Sequence, residues 1–364
     1  MKHVIVYKEA GRYAGWPANY GIWSWGDEIV VGFTLGYHNT DGGFHARDKT
    51  KPMVAMQARS PDGGESWETV VTPVRTPGNR GLSAGEHSSA KNGGGEEEHA
   101  NEPVPVQEAI DFAHPDFAMM CAREDVVSGS GSWFYVSYDR CRSWQGPYSI
   151  PMMGLLGIAA RTDYLVSGPR ECMYFLTAPT MEGTETGSRT FCAKTEDGGK
   201  TIQFVSWISP EANNGFSIMP ASVRLPDNRI LVATRDRQVA PDDRASNWID
   251  LYESSNEGKT WTYLNRPVAD TGRGGNPPTL TRLLDGRLCI TYAYRDAPYG
   301  IRAKLSSDNG ATWGEEIVLR SDAGSHDIGY ARTVQRKDGA LVTAYYYNDE
   351  LGGACYIAAT LWKP

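Results

Sequence analysis

The sequence predicts an all-β protein, a six-bladed β-propeller with four-stranded antiparallel blades that is closed by the N-terminal strand. Three observations lead to this fold class. An eight-residue turn recurs five times, a second turn recurs between its copies, and the 364 residues contain no long run with the 3.6-residue period of a helix. Forty glycines, 21 prolines, 11 tryptophans and 19 tyrosines suit many short strands joined by tight turns.

The eight-residue turn follows the pattern Ser/Thr-x-Asp/Asn-x-Gly-x-Ser/Thr-Trp, or departs from it by a letter. The five copies, called the repeat turns below, span residues 60–67, 137–144, 195–202, 254–261 and 306–313. Cys141 replaces the glycine of the second copy, and Ile202 replaces the tryptophan of the third. In each copy, the hydroxyl and the carboxylate or amide can bond backbone N–H groups across a hairpin turn. A spacing of roughly 50 residues is typical of a propeller or an array.

The second recurring turn contains Asp-Gly or a close relative and precedes an alternating run. Its copies lie at residues 25–28, 226–229, 284–287 and 337–340. Asp-Gly between two alternating runs is the strongest short signal for a hairpin. We therefore predict that this turn joins the first and second strands of a blade.

Both repeats together predict six blades in a single domain that spans residues 1–364. The blades are expected at about residues 14–75, 112–150, 155–208, 214–268, 273–320 and 325–364. The last blade lacks a repeat turn, and the strand from Val4 to Lys8 is predicted to supply its outer strand, which closes the ring and removes exposed edges. Residues 76–111, which include Gly93 to Glu98, are predicted to form a long loop inserted between blades 1 and 2.

Charge and composition exclude several classes of partner. The net charge of −8 argues against nucleic acid, and no run approaches 18 apolar residues, so no membrane partner is expected. Six scattered cysteines are expected to be buried free thiols, and the sequence has no cofactor motif and no convincing metal site. Without a visible signal peptide the chain is expected in the cytoplasm, although a trimmed secreted or periplasmic chain would look the same. A homo-oligomer is compatible with the long loop.

The candidate site follows from the geometry of a propeller. The innermost strands all start at one end of the central channel, so residues at those starts converge on one pocket. Histidines, carboxylates, arginines and aromatic residues concentrate at the predicted starts and at the ends of second strands, namely Trp16, His38, Asp48, His114, Asp116, Arg161, Asp163, Arg235, Arg295, His326, Asp327 and Tyr330. Rim ion pairs, a packed tyrosine and a structural histidine are the alternative interpretations of the same residues.

The repeat turns resemble the Asp-box of the sialidase family, and the resemblance covers the whole chain. In that family the turn joins the third and fourth strands of a blade on the face away from the active site. Tyr330 resembles the family's nucleophilic tyrosine at the start of the last blade's inner strand. Asp48 is the nearest match to its acid/base aspartate, with Asp41 as the alternative and with His38 and His45 close enough to substitute.

The family's arginines match this chain in part. Arg235 matches the second substrate-binding arginine, and Arg295 matches the third with an offset of about three residues. The first is replaced by Trp16, which we expect to offer an apolar platform for a sugar ring, and the family's fourth-blade glutamate is missing near Met219. Asp327, Asp163 and His326 are the candidates for a base that would assist Tyr330. These departures argue against true sialidase activity.

Three hypotheses remain, and each has a carbohydrate partner. The first is a sialidase-like exo-acting glycoside hydrolase on an acidic or deoxy sugar, in which Arg161, Arg235 and Arg295 bind the anionic group. The second is a lyase on a uronate, in which His114 or His326 removes a proton and Tyr330 protonates the leaving oxygen. The third is a propeller that binds carbohydrate without catalysis, since fold does not imply function.

Overall fold

A computed structural model describes residues 1–41, 43–79, 101–212 and 214–364, and it confirms the predicted fold class. Six small antiparallel sheets form a six-bladed β-propeller with almost no helix. Adjacent blades touch through their inner strands and bury large apolar clusters between them. Within the described ranges, no helix is long and apolar enough to cross a membrane.

The strands of blades 1 to 3 follow one another in chain order. Blade 1 contains β2 (Arg12–Gly15), α1 (Pro17–Tyr20), β3 (Ile22–Trp25), β4 (Glu28–Tyr37), β5 (Val54–Ser60) and β6 (Glu68–Val71). A 3₁₀ turn at Pro77–Asn79 follows it. Blade 2 contains β7 (Ala118–Arg123), β8 (Ser132–Ser137) and β9 (Gln145–Ile150). Blade 3 contains β10 (Tyr164–Gly168), β11 (Glu171–Ala178), β12 (Arg189–Thr195) and β13 (Gln203–Trp207).

The remaining blades complete the ring with four strands each. Blade 4 contains β14 (Gly215–Arg224), β15 (Ile230–Val239), β16 (Ala245–Ser254) and β17 (Thr262–Val268). Blade 5 contains β18 (Thr279–Arg282), β19 (Leu288–Tyr294), β20 (Gly300–Ser306) and β21 (Ile317–Arg320). Blade 6 contains β22 (Gly329–Gln335), β23 (Leu341–Tyr347), β24 (Tyr356–Trp362) and β1 (Lys2–Tyr7).

The N-terminal strand closes the ring as predicted. β1 pairs antiparallel with β24, and Val4 lies opposite Ala359. Val6 is buried in the core between blades 6 and 1, whereas the neighbouring Ile5 points to solvent. The pairing covers the edge of β24 that would otherwise be exposed.

The repeat turns mark one end of the propeller, called the turn face below. In the first copy the Ser60 hydroxyl accepts the Gly64 N–H at 2.7 Å, and the Asp62 carboxylate accepts the Ser66 N–H at 2.9 Å. In blade 4, β14 ends at Arg224 near the fourth repeat turn, so it begins at the opposite end, called the site face. The six cysteines are all buried and unpaired.

Blade 2 departs from the prediction. Only three of its strands lie among the described residues, and Ala118 at the start of β7 pairs with Ser137 at the second repeat turn. β7 therefore begins at the turn face and runs toward the site face. Residues 80–100, most of the predicted long loop, lie outside the described residues. Residues 101–111 pack along blades 2 and 3, where Val106 and Ile110 are buried.

Candidate active site

Tyr330 lies on a bulge at the start of β22. The register between β22 and β23 shifts between Gly329 and Arg332, and Tyr330 takes a φ of 51°. The buried Asn276 accepts the Tyr330 N–H at 3.1 Å and donates to the Ile328 carbonyl at 3.2 Å. Gly329 has a φ of 114°, and a Cβ there would approach Asn276 Nδ2 to 2.3 Å. This local structure holds the backbone of Tyr330 in a conformation that residues other than glycine rarely adopt.

Equivalent bulges occur on the inner strands of two other blades. Trp16 before α1 has a φ of 58°, and Met219 in β14 has a φ of 55°. The register of β14 shifts between Ile218 and Ala221, at the level where β22 shifts at Tyr330. Bulges are common beside active sites because they redirect a side chain.

Two arginines with unsatisfied nitrogens surround the phenol. Arg235 Nη1 donates to the Tyr330 hydroxyl at 3.3 Å, and Nη2 donates to the Gly274 carbonyl. The Arg161 guanidinium lies 5.6 Å from the centre of the Tyr330 ring. Arg161 Nη1 and Arg235 Nε are buried and find no hydrogen-bond partner within the described parts of the chain. Such nitrogens are costly unless an acceptor binds them, which indicates an anionic ligand.

Burial and two neighbouring arginines disfavour the charged form of Arg161. Burial, followed by the nearby charge of Arg123, lowers the pKa of Arg161 to about 9. Glu185 shares a small cavity with Arg161 and acts in the opposite direction. Glu185 comes from the loop between β11 and β12, and sequence reasoning did not identify it because nothing in the local pattern points to the channel.

Arg295 supports the site from behind instead of presenting its nitrogens to a ligand. It is only 2% exposed, and its three guanidinium nitrogens donate to the Ile328 carbonyl, the Gly275 carbonyl and the Tyr346 hydroxyl. Burial opposes its charge, but Tyr346, Tyr330 and Asp327 outweigh this and raise the pKa of Arg295. The sequence predicted that Arg295 lies near Tyr330, and its guanidinium is 5.6 Å from the centre of that ring. The sequence could not show that the donors of Arg295 are already occupied.

Asp327 holds a histidine that the sequence offered only as a substitute proton donor. His45 Nδ1 lies 2.6 Å from Asp327 Oδ1, and Tyr346 donates to the same oxygen at 3.0 Å. Tyr13 and the Ala46 N–H donate to Oδ2 at 3.1 and 3.2 Å. Burial opposes ionisation, but His45 and Arg295 hold the pKa of Asp327 below its ordinary value. Asp327 thus orients His45, and Nε2 of His45 is the ring nitrogen left for other contacts.

Trp16 corrects one expectation and explains how His45 is positioned. The ring is 1% exposed, so it cannot serve as a platform for a sugar. It packs against Tyr13 at 5.1 Å and edge-on against His45 at 5.2 Å. The positive φ of Trp16 at the start of α1 turns the side chain into the core.

His326 lies at the rim beside Phe44. Its ring is 4.6 Å from that of Phe44, and Nε2 lies 3.2 Å from the Phe44 carbonyl oxygen. Burial, followed by Arg273, lowers the pKa of His326. Phe44 also contacts His45 at 4.9 Å and Arg295 at 5.6 Å, so it connects the rim to the residues around Tyr330.

Asp48 and His38 lie in the predicted loop but make other contacts. The Asp48 carboxylate accepts the Thr50 N–H at 2.9 Å and the Thr50 hydroxyl at 2.6 Å, and these bonds hold the pKa of Asp48 below its ordinary value. His38 Nε2 contacts the Gly352 carbonyl at 2.8 Å. Among the contacts of the described residues, neither side chain reaches Tyr330. The turn geometry that binds Asp48 locally cannot be read from its spacing.

Asp163 lies deeper in the channel, not at the substrate-binding position that the sequence suggested. Its carboxylate accepts the Ser222 hydroxyl at 2.6 Å and lies 3.9 Å from Arg332 Nη1. Arg332 donates in turn to the carbonyls of Ala18 and Thr162. Burial raises the pKa of Asp163 to about 7. The pair of Asp163 and Arg332 therefore connects blades 1, 3, 4 and 6.

His114 and Asp116 are on the wrong face for the predicted site. The His114 ring packs against Tyr138 at 5.3 Å, and Asp116 accepts Arg140 Nε at 2.6 Å. Arg140 belongs to the second repeat turn, so both residues lie at the turn face. The prediction fails because β7 runs in the opposite direction to the inner strand that was expected there.

In the described parts of the chain, no group of three or more His, Cys, Asp or Glu residues could hold a metal ion. The chemical groups that meet at the site face are a phenol, two incompletely satisfied guanidinium groups, and a histidine with a carboxylate partner.

No protein-family model matches the sequence, and no curated protein matches it. Solved structures do resemble it. A protein of unknown function from Dyadobacter fermentans has 19% identity and a TM-score of 0.72, over 99% of this chain and 97% of that chain. An alpha-L-arabinanase of Penicillium chrysogenum, complexed with arabinobiose, has 12% identity and a TM-score of 0.65, over 100% and 98%. The sialidase of Trypanosoma rangeli has 13% identity and a TM-score of 0.57, over 94% of this chain and 53% of that chain. At these identities the likeness shows a shared propeller fold.

Proposed function

We propose that the chain is a glycoside hydrolase that removes an acidic sugar from the end of a glycan, with Tyr330 as the nucleophile. One observation carries the proposal, namely a phenol that accepts a hydrogen bond from Arg235 at 3.3 Å beside the unsatisfied guanidinium of Arg161. Structures with this fold include an arabinanase and sialidases, which supports a glycosidase but leaves the sugar open.

The arginines have two roles in this proposal. Arg161 and the free Nε of Arg235 bind the carboxylate of the sugar, because charge-assisted hydrogen bonds are worth about 1.5–3 kcal/mol each. Arg235 Nη1 also favours the phenolate of Tyr330. An unperturbed phenol has a pKa of about 10 and is a poor nucleophile at neutral pH, so this assistance is needed.

The proton for the leaving group comes from His45 in this proposal, and Asp48 is not used. Tyr330 Oη bonds to the anomeric carbon as the glycosidic C–O bond breaks, and His45 Nε2 protonates the departing oxygen. Water then attacks the anomeric carbon and gives a proton to His45, and Tyr330 leaves as the phenolate. Asp327 fixes the orientation of His45 through the 2.6 Å contact at Nδ1.

The test is a screen of aryl glycosides of acidic sugars, read for the released aglycone. Tyr330→Phe keeps the ring and removes only the hydroxyl, so we expect at least a roughly hundredfold loss of kcat. Tyr263→Phe is the matched control, because Tyr263 is an exposed tyrosine on the outer strand of blade 4. Full turnover by Tyr330→Phe, with the fold intact by circular dichroism, would exclude Tyr330 as the nucleophile.

A lyase acting on a uronate is the second candidate, and the pairing of His45 with Asp327 favours it. His45 would remove the C5 proton, the C4–O bond would break, and the Tyr330 hydroxyl would protonate the leaving oxygen while Arg161 neutralises the carboxylate. Only this reaction leaves an unsaturated uronate, so uronate oligosaccharides monitored by ultraviolet absorbance distinguish it from hydrolysis. Binding of these sugars without either product would contradict both enzymatic candidates.

A further inference from the structure

A second cavity opens on the site face between blades 4 and 5. Its volume is about 730 Å³, within the roughly 300–1,000 Å³ range of ligand pockets. Blade 4 lines it with Arg237 and Asn247, the segment that leads from blade 4 to blade 5 contributes Asp270 and Arg273, and Phe44 reaches in from blade 1. No residue assigned to the reaction above lines this cavity.

The cavity adjoins the surroundings of Tyr330. Gly274 lines it, and the Gly274 carbonyl accepts the Nη2 group of Arg235, whose Nη1 reaches the Tyr330 hydroxyl. Phe44 lies between the two spaces, since its ring is 5.6 Å from the Arg295 guanidinium and also lines the cavity. The cavity therefore lies beside the groups that surround Tyr330.

The lining combines unsatisfied donors and acceptors with little net charge. Asn247 is 3% exposed, and its Oδ1 lacks a partner among the described residues, as does the buried Nε of Arg237. Arg237 and Arg273 are balanced by Asp270 and Asp296, so the cavity does not select an anion. Hydroxyl groups can both donate and accept, and Phe44 supplies a partly exposed ring at the mouth.

We propose that this cavity binds a neutral sugar unit of the leaving group, so that the substrate is an oligosaccharide and not a glycoside of a small alcohol. The acidic terminal sugar occupies the space at Tyr330, and the next sugar lies between Arg237, Asn247 and Arg273. The assignment of the bound sugar to the leaving group rests on the proposed function. The binding of a neutral sugar in the cavity does not.

The binding test uses neutral disaccharides, namely lactose, cellobiose, maltose and N-acetyllactosamine, each titrated by calorimetry. We expect at least one to bind the natural protein and to bind Arg273→Ala at least tenfold more weakly. Arg273 has an exposed side chain, so this change should not impair folding. Arg282→Ala is the matched control, since Arg282 is an exposed arginine of blade 5 that lies at the turn face.

Absence of binding by all four disaccharides, or equal affinity of Arg273→Ala and the natural protein, would overturn the inference. A second measurement compares kcat/KM for an acidic oligosaccharide with kcat/KM for the aryl glycoside of its terminal sugar. Arg273→Ala should lower that ratio at least tenfold, and an unchanged ratio would overturn the leaving-group assignment. Disaccharide binding in a protein that cleaves no glycoside would leave the cavity assignment intact while refuting the proposed function.

Discussion

At the scale of single residues, the arginines of the site differ in how many of their nitrogens already have a hydrogen-bond partner. Arg295 uses all its nitrogens to hold Tyr346 and two loop carbonyls, whereas Arg161 and Arg235 keep buried nitrogens without an acceptor. Supporting arginines rigidify a site, and unsatisfied ones create affinity for an anion. The donors of Arg295 are therefore occupied by the protein, whereas unsatisfied nitrogens of Arg161 and Arg235 lie beside Tyr330.

Asp327→Asn tests whether this carboxylate positions His45. Asparagine would turn an N–H group toward one of the donors that now meet the carboxylate, so we expect a loss of about 1–3 kcal/mol in the free energy of unfolding. We also expect a lower kcat and an altered pH–rate profile. His45→Gln should lower kcat by a similar factor, and the double variant should be no slower than the slower single one. Additive losses of kcat would contradict a shared role.

The buried carboxyl of Asp163 predicts a pH-dependent stability. Its folded pKa of about 7 exceeds the unfolded value near 3.9, so the native state binds the extra proton. The stability that this provides is complete below the unfolded pKa and is lost as pH rises toward 7, at up to about 1.4 kcal/mol per pH unit. Asp163→Asn removes that slope, whereas the other raised carboxyl, Asp236, remains in both proteins.

Urea unfolding at pH 5, 6, 7 and 8 measures the effect. The stability of Asp163→Asn relative to the natural protein should increase from pH 5 to 7 and then stay constant. Parallel stability curves for the two proteins would show that Asp163 has an ordinary pKa in the folded state.

At the scale of elements, the repeat turns and the bulges of the inner strands divide the work between the two faces. The turns hold the sheets together at the turn face, and the non-glycine bulges at Trp16, Met219 and Tyr330 shape the site face. Each such conformation costs of order 1–3 kcal/mol. The ladder on either side and contacts such as that from Asn276 to Tyr330 maintain it.

Thr195 in the third repeat turn tests how much one turn contributes. Its buried hydroxyl accepts the Gly199 N–H at 2.8 Å, so Thr195→Ala leaves that N–H unpaired and should cost about 1–3 kcal/mol of unfolding free energy. Thr195→Ser is the control, because serine holds this position in the other four turns. The serine variant should lose only about 1 kcal/mol for the missing methyl group. Equal losses in urea unfolding would mean that packing alone matters.

The sequence predicts the elements well where a turn carries its own chemistry. The repeat turns and the Asp-Gly hairpins located five of the six blades with their strand order, because each signal is local. The failure at blade 2 concerns the direction of β7, which follows from its pairing with β8 and which no local turn signal specifies. Arg161 and Arg235 could be expected near Tyr330 because each lies at a predicted strand end. The contact between Asp327 and His45 joins residues that are 282 positions apart, and no local pattern predicts it.

At the scale of the whole molecule, the ring places residues from distant parts of the chain around one axis. Asp163 of blade 3 meets Arg332 of blade 6, and Arg332 bonds the Ala18 carbonyl of blade 1. These contacts join three blades near the centre of the ring. Closure of the ring itself depends on the pairing of the two termini.

Removing residues 1–8 tests that closure. The deletion exposes the edge of β24, uncovers the apolar cluster around Val6 and removes the ion pair of Lys8 with Asp349. We expect a lower Tm in calorimetry and concentration-dependent aggregation, because an open edge can pair with another chain.

A matched pair of substitutions separates the effect of ring closure from the effect of a shorter chain. Val6→Asp places a charge in the core and should destabilise strongly, whereas Ile5→Asp on the exposed face should change stability by less than about 0.5 kcal/mol. An unchanged Tm for both the deletion and Val6→Asp would show that the ring is stable without its N-terminal strand.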